Sequence, residues 1–147
     1  MARAVGLLAR REHSRVELAR KLQRYLEPDD DASEIDRVLD LLKTQGLLSD
    51  ARFAHALIGQ RAERYGDLRV RRDLRERGVE PAETDAAMQT LRGTERARAH
   101  AVWARRFDAL PTNADERGRQ GRYLQARGFS MHAITQVLAG KSDAEER

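Results

Sequence analysis

The sequence contains no cysteine, which excludes a disulfide framework, thiolate zinc sites, iron–sulfur clusters and a cysteine nucleophile, and agrees with a reducing, cytoplasmic location. Long apolar runs are missing too. The patch near the N-terminus is broken by Arg10 and Arg11, and nothing approaches the roughly 20 apolar residues that a membrane span needs. No membrane association or export is expected. Only three prolines interrupt the chain and β-branched runs are absent, so little opposes helix. Lysine is scarce: of 28 basic side chains only Lys21, Lys43 and Lys141 are lysines and 25 are arginines, against 24 acids. Guanidinium groups suit phosphates, carboxylates and stacked rings. A GC-rich genome also writes arginine, however, so placement is more informative than number.

What is present is helical pattern. Apolar residues recur at helical spacing in Leu18, Leu22 and Leu26, in Ile35, Val38, Leu39 and Leu42, in Phe53, Ala54, Leu57 and Ile58, and in Ile134, Val137 and Leu138. Ser14 with Glu17 reads as a capping box; Ser33, Ser49–Asp50, Thr94, Asn113 with Glu116, and Ser130 read as further helix starts, and Pro81 suits a first helical turn. About nine short helices are expected.

Self-comparison sets the architecture. Leu74-Arg75-Glu76-Arg77-Gly78-Val79 aligns with Leu124-Gln125-Ala126-Arg127-Gly128-Phe129 at an offset of 50, which also carries Thr84, Ala87 and Met88 onto Ile134, Val137 and Leu138. Leu22 matches Leu74 at 52, and Ile35, Val38 and Leu39 match the Thr84 set at 49. An all-α fold follows: three tandem three-helix repeats, 1–50, 51–94 and 95–140, with a flexible C-terminal tail at 141–147. Units of this size are too small to be comfortably stable alone, so they are expected to stack into an elongated, curved array. Phe53, Trp103, Phe107, Tyr25, Tyr123 and Phe129 fit core positions, whereas Tyr65 sits beside Gly66 in a basic turn.

Charge is unevenly placed. Residues 1–26 carry a net +5, 27–50 carry −6, 51–94 carry +2 and 95–140 carry +4. Arg69–Asp73 and Arg72–Glu76 have i,i+4 spacing and satisfy each other. Arg71 and Arg75 share a helix face with no acid spaced to neutralise them, and Arg61, Arg64 and Tyr65 lie upstream. In the third repeat Arg105, Arg106, Arg117, Arg119 and Arg122 have few acidic neighbours. These ten residues are the candidate protein or DNA contacts.

Chemistry is hard to find. No GxxxxGK[ST] or GxGxxG run exists. His13, His55, His100 and His132 are scattered, read as surface or capping residues, and would form a catalytic site only if folding assembled them with acids. The Asp29-Asp30-Asp31 cluster lacks the glycine at loop position six and the glutamate at position twelve of a calcium loop. No serine sits in a nucleophile elbow. A non-enzyme without cofactor or metal is expected.

The pieces Leu7-Leu8-Ala9-Arg10-Arg11-Glu12-His13-Ser14, Gly46-Leu47-Leu48-Ser49-Asp50-Ala51-Arg52-Phe53-Ala54, Tyr65-Gly66, Arg77-Gly78-Val79, Arg105-Arg106-Phe107, Arg122-Tyr123-Leu124 and Arg127-Gly128-Phe129-Ser130, in this order and spacing, resemble the RecX family of recombinase regulators over nearly the whole chain. A monomer is expected, and the resemblance implies a protein of three tandem three-helix repeats that binds the RecA recombinase, lodging in the groove of the RecA–single-stranded DNA filament. There it restrains filament growth, and with it ATPase, strand exchange and SOS coprotease action, without chemistry of its own; some family members also bind DNA. The alternative reading is an arginine-rich helical module acting directly on DNA. Two departures stand out. Asp67 follows Tyr65-Gly66 where the family usually has proline, and Gly118 and Gly121 occupy positions that favour helix formers. Because the chain begins almost at the first repeat, no N-terminal extension is expected.

Overall fold

The computed structural model describes residues 1–140, so the expected tail, 141–147, lies outside the described residues. Among these there are nine α-helices and no strand: α1 Ala2–Arg10, α2 Arg15–Gln23, α3 Ser33–Thr44, α4 Asp50–Arg61, α5 Asp67–Glu76, α6 Pro81–Met88, α7 Glu95–Arg106, α8 Ala114–Ala126 and α9 Met131–Leu138, with a 3₁₀ turn at Gln89–Leu91. No helix of the described residues is long and apolar enough to cross a membrane.

The start signals act largely as read. Ser14 and Glu17 form a reciprocal capping box on α2, Asn113 accepts from the Glu116 N–H at 2.8 Å on α8, Ser130 accepts from the Ala133 N–H at 3.2 Å on α9, and Pro81 opens α6. Two signals differ. Ser33 is the first residue of α3 rather than its cap, and its N–H donates to Asp31 at 2.9 Å. Thr94 occupies the N-cap of α7 without making the cap bond; its hydroxyl donates to the Leu91 carbonyl at 2.6 Å.

The chain groups into two compact units, Met1–Leu57 with Leu74–Ala87 and Ile58–Asp73 with Met88–Arg147. The division falls within α4 and within α5, so the middle of the three expected repeats is shared between them. In the first unit, Ala4, Leu18, Ile35, Leu39, Leu42 and Leu48 form the core where α1, α2 and α3 meet. In the second, Val102, Trp103, Leu124, Phe129, Ile134, Val137 and Leu138 do the same for α7, α8 and α9, with Phe107 and Tyr123 half-buried against them. Tyr25, expected in a core, is exposed. It lies two residues past the end of α2, and the Arg3 guanidinium covers its ring at 3.6 Å.

Each unit contains one docked Arg-Gly turn. The helix preceding each turn ends in a Schellman motif: Val79 N–H donates to the Leu74 carbonyl at 3.1 Å, Phe129 N–H to the Leu124 carbonyl at 3.3 Å, and Gly78 and Gly128 take φ +80° and +87°. In the first unit the Ser14 hydroxyl donates to the Arg77 carbonyl at 2.6 Å, and a methyl on Gly78 would overlap the Val16 side chain. In the second, Gly66 N–H donates to the Arg127 carbonyl at 2.9 Å and Leu68 N–H to that of Gly128 at 3.1 Å. A methyl on Gly66 would overlap the Gly128 carbonyl, and one on Gly128 the Arg69 backbone. The two junctions therefore repeat the 50–52-residue register of the sequence.

By contrast, Gly121 needs no such closeness, because an added Cβ would stand 3.7 Å from Leu138 and 3.8 Å from Ile134, ordinary contact. Near Gly118 the nearest atom is the flexible end of Arg122. Gly128→Ala is expected to lose about 3 kcal/mol through overlap and positive φ, whereas Gly121→Ala should gain up to about 1 kcal/mol from helix propensity. Urea unfolding of the two variants checks the contrast.

Unlike the surface role expected of it, His13 is buried. Its Nδ1–H donates to the Arg11 carbonyl at 3.1 Å, so Nε2 accepts from the Lys21 ammonium at 2.8 Å, which fixes a neutral ring. Burial, with the positive charges of Arg11 and Lys21, holds its pKa below the ordinary value. The unfolded chain then binds the proton more readily, and stability should fall as pH drops below about 6.5. Unfolding midpoints between pH 8 and pH 5.5 should show this loss in the wild type, and much less of it in His13→Asn.

Candidate functional site

Two residues of α7 organise the second unit. The Glu95 carboxylate accepts from the Ser130 hydroxyl at 2.6 Å, the Ser130 N–H at 3.3 Å and the Asp67 N–H at 2.9 Å. It therefore satisfies backbone donors at the starts of both α9 and α5. One turn along, Arg98 donates to the carbonyls of Ala62 at 3.1 Å and Tyr65 at 2.8 Å, to the Thr94 hydroxyl at 3.0 Å and to the Asp67 carboxylate. The chain leaving α4 is thus pinned to α7 by its own carbonyls. Burial and the nearby Glu95 carboxylate push the Asp67 pKa up, although Arg98 and Arg71 act the other way. Asp67 thus anchors its turn through Arg98.

This pinned turn forms one wall of a cleft of about 350 Å³ lined by Arg64, Tyr65, Val102, Arg105, Tyr123 and Arg127. Val102, buried on α7, supplies its apolar lining. The tyrosines carry cations in place: Arg69 stands 4.5 Å and Arg61 6.0 Å from the Tyr65 ring centre, while Arg127 stands 4.2 Å and Arg106 6.0 Å from that of Tyr123. Phe107 meets Tyr123 edge-on at 5.4 Å. Cation–π contacts of this kind restrict long side chains that would otherwise be mobile. No lining residue is acidic, and Arg64, Arg105 and Arg127 have no carboxylate partner among the described residues. Arg105 reaches only the Glu63 carbonyl, at 3.5 Å.

Of the ten residues singled out in the sequence, Arg64, Tyr65 and Arg105 come together in the cleft, and Arg61 and Arg106 flank its rings. Arg61 also pairs with the buried Asp73 at 3.1 Å, which ties it down. Arg71 and Arg75 are exposed on α5, Arg71 in the second unit and Arg75 in the first. The expectation that no acid neutralises Arg71 fails: Asp67, one turn earlier, feels its charge. Arg117 and Arg122 lie elsewhere, on a second concavity of about 300 Å³ bordered by Gly118, Gly121, Met131 and Leu138. Arg119 is exposed on α8, and its charge reaches Glu116.

Sequence reasoning missed Arg127 and the cleft role of Tyr123, although their i,i+4 spacing at the end of a helix was visible. It also missed Glu95 and Arg98. Of the four histidines only His13 is buried, and it lies in the first unit, while His55, His100 and His132 are exposed.

Arg98→Ala should cost about 3 kcal/mol in urea unfolding, because it strands the partly buried Asp67 carboxylate and two carbonyls. Arg64→Ala, at an exposed cleft residue, should stay within about 0.5 kcal/mol of wild type.

Two family models match, "RecX, second three-helix domain" over residues 49–88 and "RecX, third three-helix domain" over residues 94–138. The chain is 45% identical over 136 residues to the regulatory protein RecX of Leptothrix cholodnii, covering 92% of this chain and 85% of that one. It is 41% identical over 145 residues to that of Ralstonia pickettii, covering 99% and 89%. Its fold resembles the crystal structure of RecX from Lactobacillus salivarius with a TM-score of 0.80 at 15% identity, covering 95% of this chain and 92% of that one.

Proposed function

Because this chain belongs to the RecX family of regulatory proteins, we propose that it acts in the cytoplasm as a monomeric regulator of recombination. In this reading it binds the RecA filament on single-stranded DNA and inhibits RecA's ATPase, strand-exchange and coprotease activities, moderating DNA repair and the SOS response. It does so by occupancy, without cofactor, metal or bond-making. The observation that carries this reading is the cationic surface of the second unit, where Arg64, Arg105 and Arg127 face a cleft with no acidic lining. Such a surface suits a negatively charged partner and steers its approach. A filament offers both acidic protein and phosphate.

Titrating the protein into RecA on single-stranded DNA should suppress ATP hydrolysis at well below one copy per RecA monomer, as expected if one bound copy restrains many subunits. No suppression at equimolar protein would refute the proposal. Double reversal of Arg64→Glu and Arg105→Glu should abolish suppression while leaving helical content and melting temperature unchanged. These arginines separate contact from folding better than Arg71, whose reversal would add negative charge beside Asp67 and Glu95.

A further inference from the structure

We propose that the cleft between Tyr65 and Tyr123 is a subsite for one unpaired nucleotide of a single-stranded nucleic acid. Arg64 and Arg105 would hold its phosphate, and the aromatic and guanidinium planes its base. This goes beyond the RecA reading and does not depend on it, since the ligand is the strand itself.

Three features lead to this ligand. The first is composition. Three arginines without carboxylate partners share the cleft with two tyrosines, the pairing of backbone electrostatics with π-surfaces by which unpaired strands are held. A site for phosphate alone would use the rings only to place arginines and would leave the apolar Val102 without a partner. An acidic peptide would use the arginines but leave Tyr65, Tyr123 and the apolar Val102 without a matching partner. The second is size. About 350 Å³ lies at the lower end of small-molecule sites and accommodates a single nucleotide, not a duplex. Paired bases are stacked inside their helix, so a duplex could present only its phosphates here. The third is order. Arg127 is already placed over Tyr123 and Arg69 over Tyr65, and Tyr65 is fixed through its carbonyl by Arg98. Much of the conformational freedom normally lost on binding is therefore lost beforehand.

The test is fluorescence anisotropy of a labelled oligo-dT against the full chain without RecA, with a duplex of equal length and dTMP or ATP as competitors. Oligo-dT should bind more tightly than duplex and resist displacement by mononucleotide. Arg64→Ala with Arg105→Ala should weaken oligo-dT binding about tenfold or more and reduce the log–log salt slope by about 0.7, the share of the one phosphate that is no longer neutralised. Tyr65→Leu should weaken it about tenfold and leave the slope unchanged, a split that a general loss of charge or fold cannot produce. Arg24→Ala with Arg37→Ala, two exposed arginines of the first unit, should change the affinity far less. The proposal is overturned if duplex binds as tightly as the single strand, if the cleft variants bind like wild type, or if mononucleotide displaces the oligomer at equal concentration. RecA inhibition by a chain that shows no cleft-dependent oligo-dT binding would leave the RecA reading intact and overturn this one, whereas cleft-dependent oligo-dT binding by a chain that does not inhibit RecA would uphold this one and overturn the RecA reading.

Discussion

The architecture of the second unit hangs on one turn of α7. Glu95 and Arg98 stand three residues apart, and between them they meet the unsatisfied donors at the starts of α5 and α9 and two carbonyls of the turn that follows α4. Helix ends left in a protein interior without partners are costly, and here one acid and one base resolve several at once. The pairing also shapes the cleft, because the turn it fixes carries Arg64 and Tyr65 to its edge. A surface that must present exposed arginines in a defined geometry therefore rests on a charged pair that is itself turned inward.

A second constraint is steric. Gly66 and Gly128 meet where neither can carry a Cβ, and the backbone bonds between residues 66–68 and 127–128 close only at that distance. Gly78 meets the start of α2 in the same way. Within the first unit this junction seats the turn after α5 on the start of α2, and within the second the Gly66–Gly128 junction seats the start of α5 on the turn after α8. The grouping of the two halves of α5 with different units follows: its start is tied to Arg127–Gly128, and its end leads into the turn that docks on Ser14 and Val16.

Much of this was legible in the sequence. The leucine and isoleucine spacing identified the buried stripes of α2, α3 and α9, because burial imposes period directly on residue type. The offset of 50 identified the paired Arg-Gly turns. Arg64, Tyr65 and Arg105 could be picked out by local charge, but not joined to Tyr123 and Arg127, since adjacency across three helices leaves no mark on spacing. Tyr123 illustrates the difficulty: half-buried against the core on one side and bordering the cleft on the other, it satisfies a core pattern while serving a surface. Glu95 and Arg98 were invisible for another reason. Several of their partners are backbone groups, which every residue possesses, so nothing in the partner sequence advertises those contacts. Ser33 and Thr94 failed as caps because hydroxyls near a helix start have competing partners within reach, here Leu91 for Thr94.

The aspartate that follows Tyr65-Gly66 changes the character of its turn. A proline there would restrain the chain by removing conformations from the unfolded state, a restraint indifferent to solvent composition. Asp67 restrains it instead by an ionic bond to Arg98, with Glu95 close by and competing for the same positive field. The turn between α4 and α5 thereby holds one restraint that is ionic rather than covalent, beside the backbone bonds that also pin it. That one restraint is subject to protonation and ionic strength, the same variables that govern attraction between an arginine-lined cleft and a polyanion.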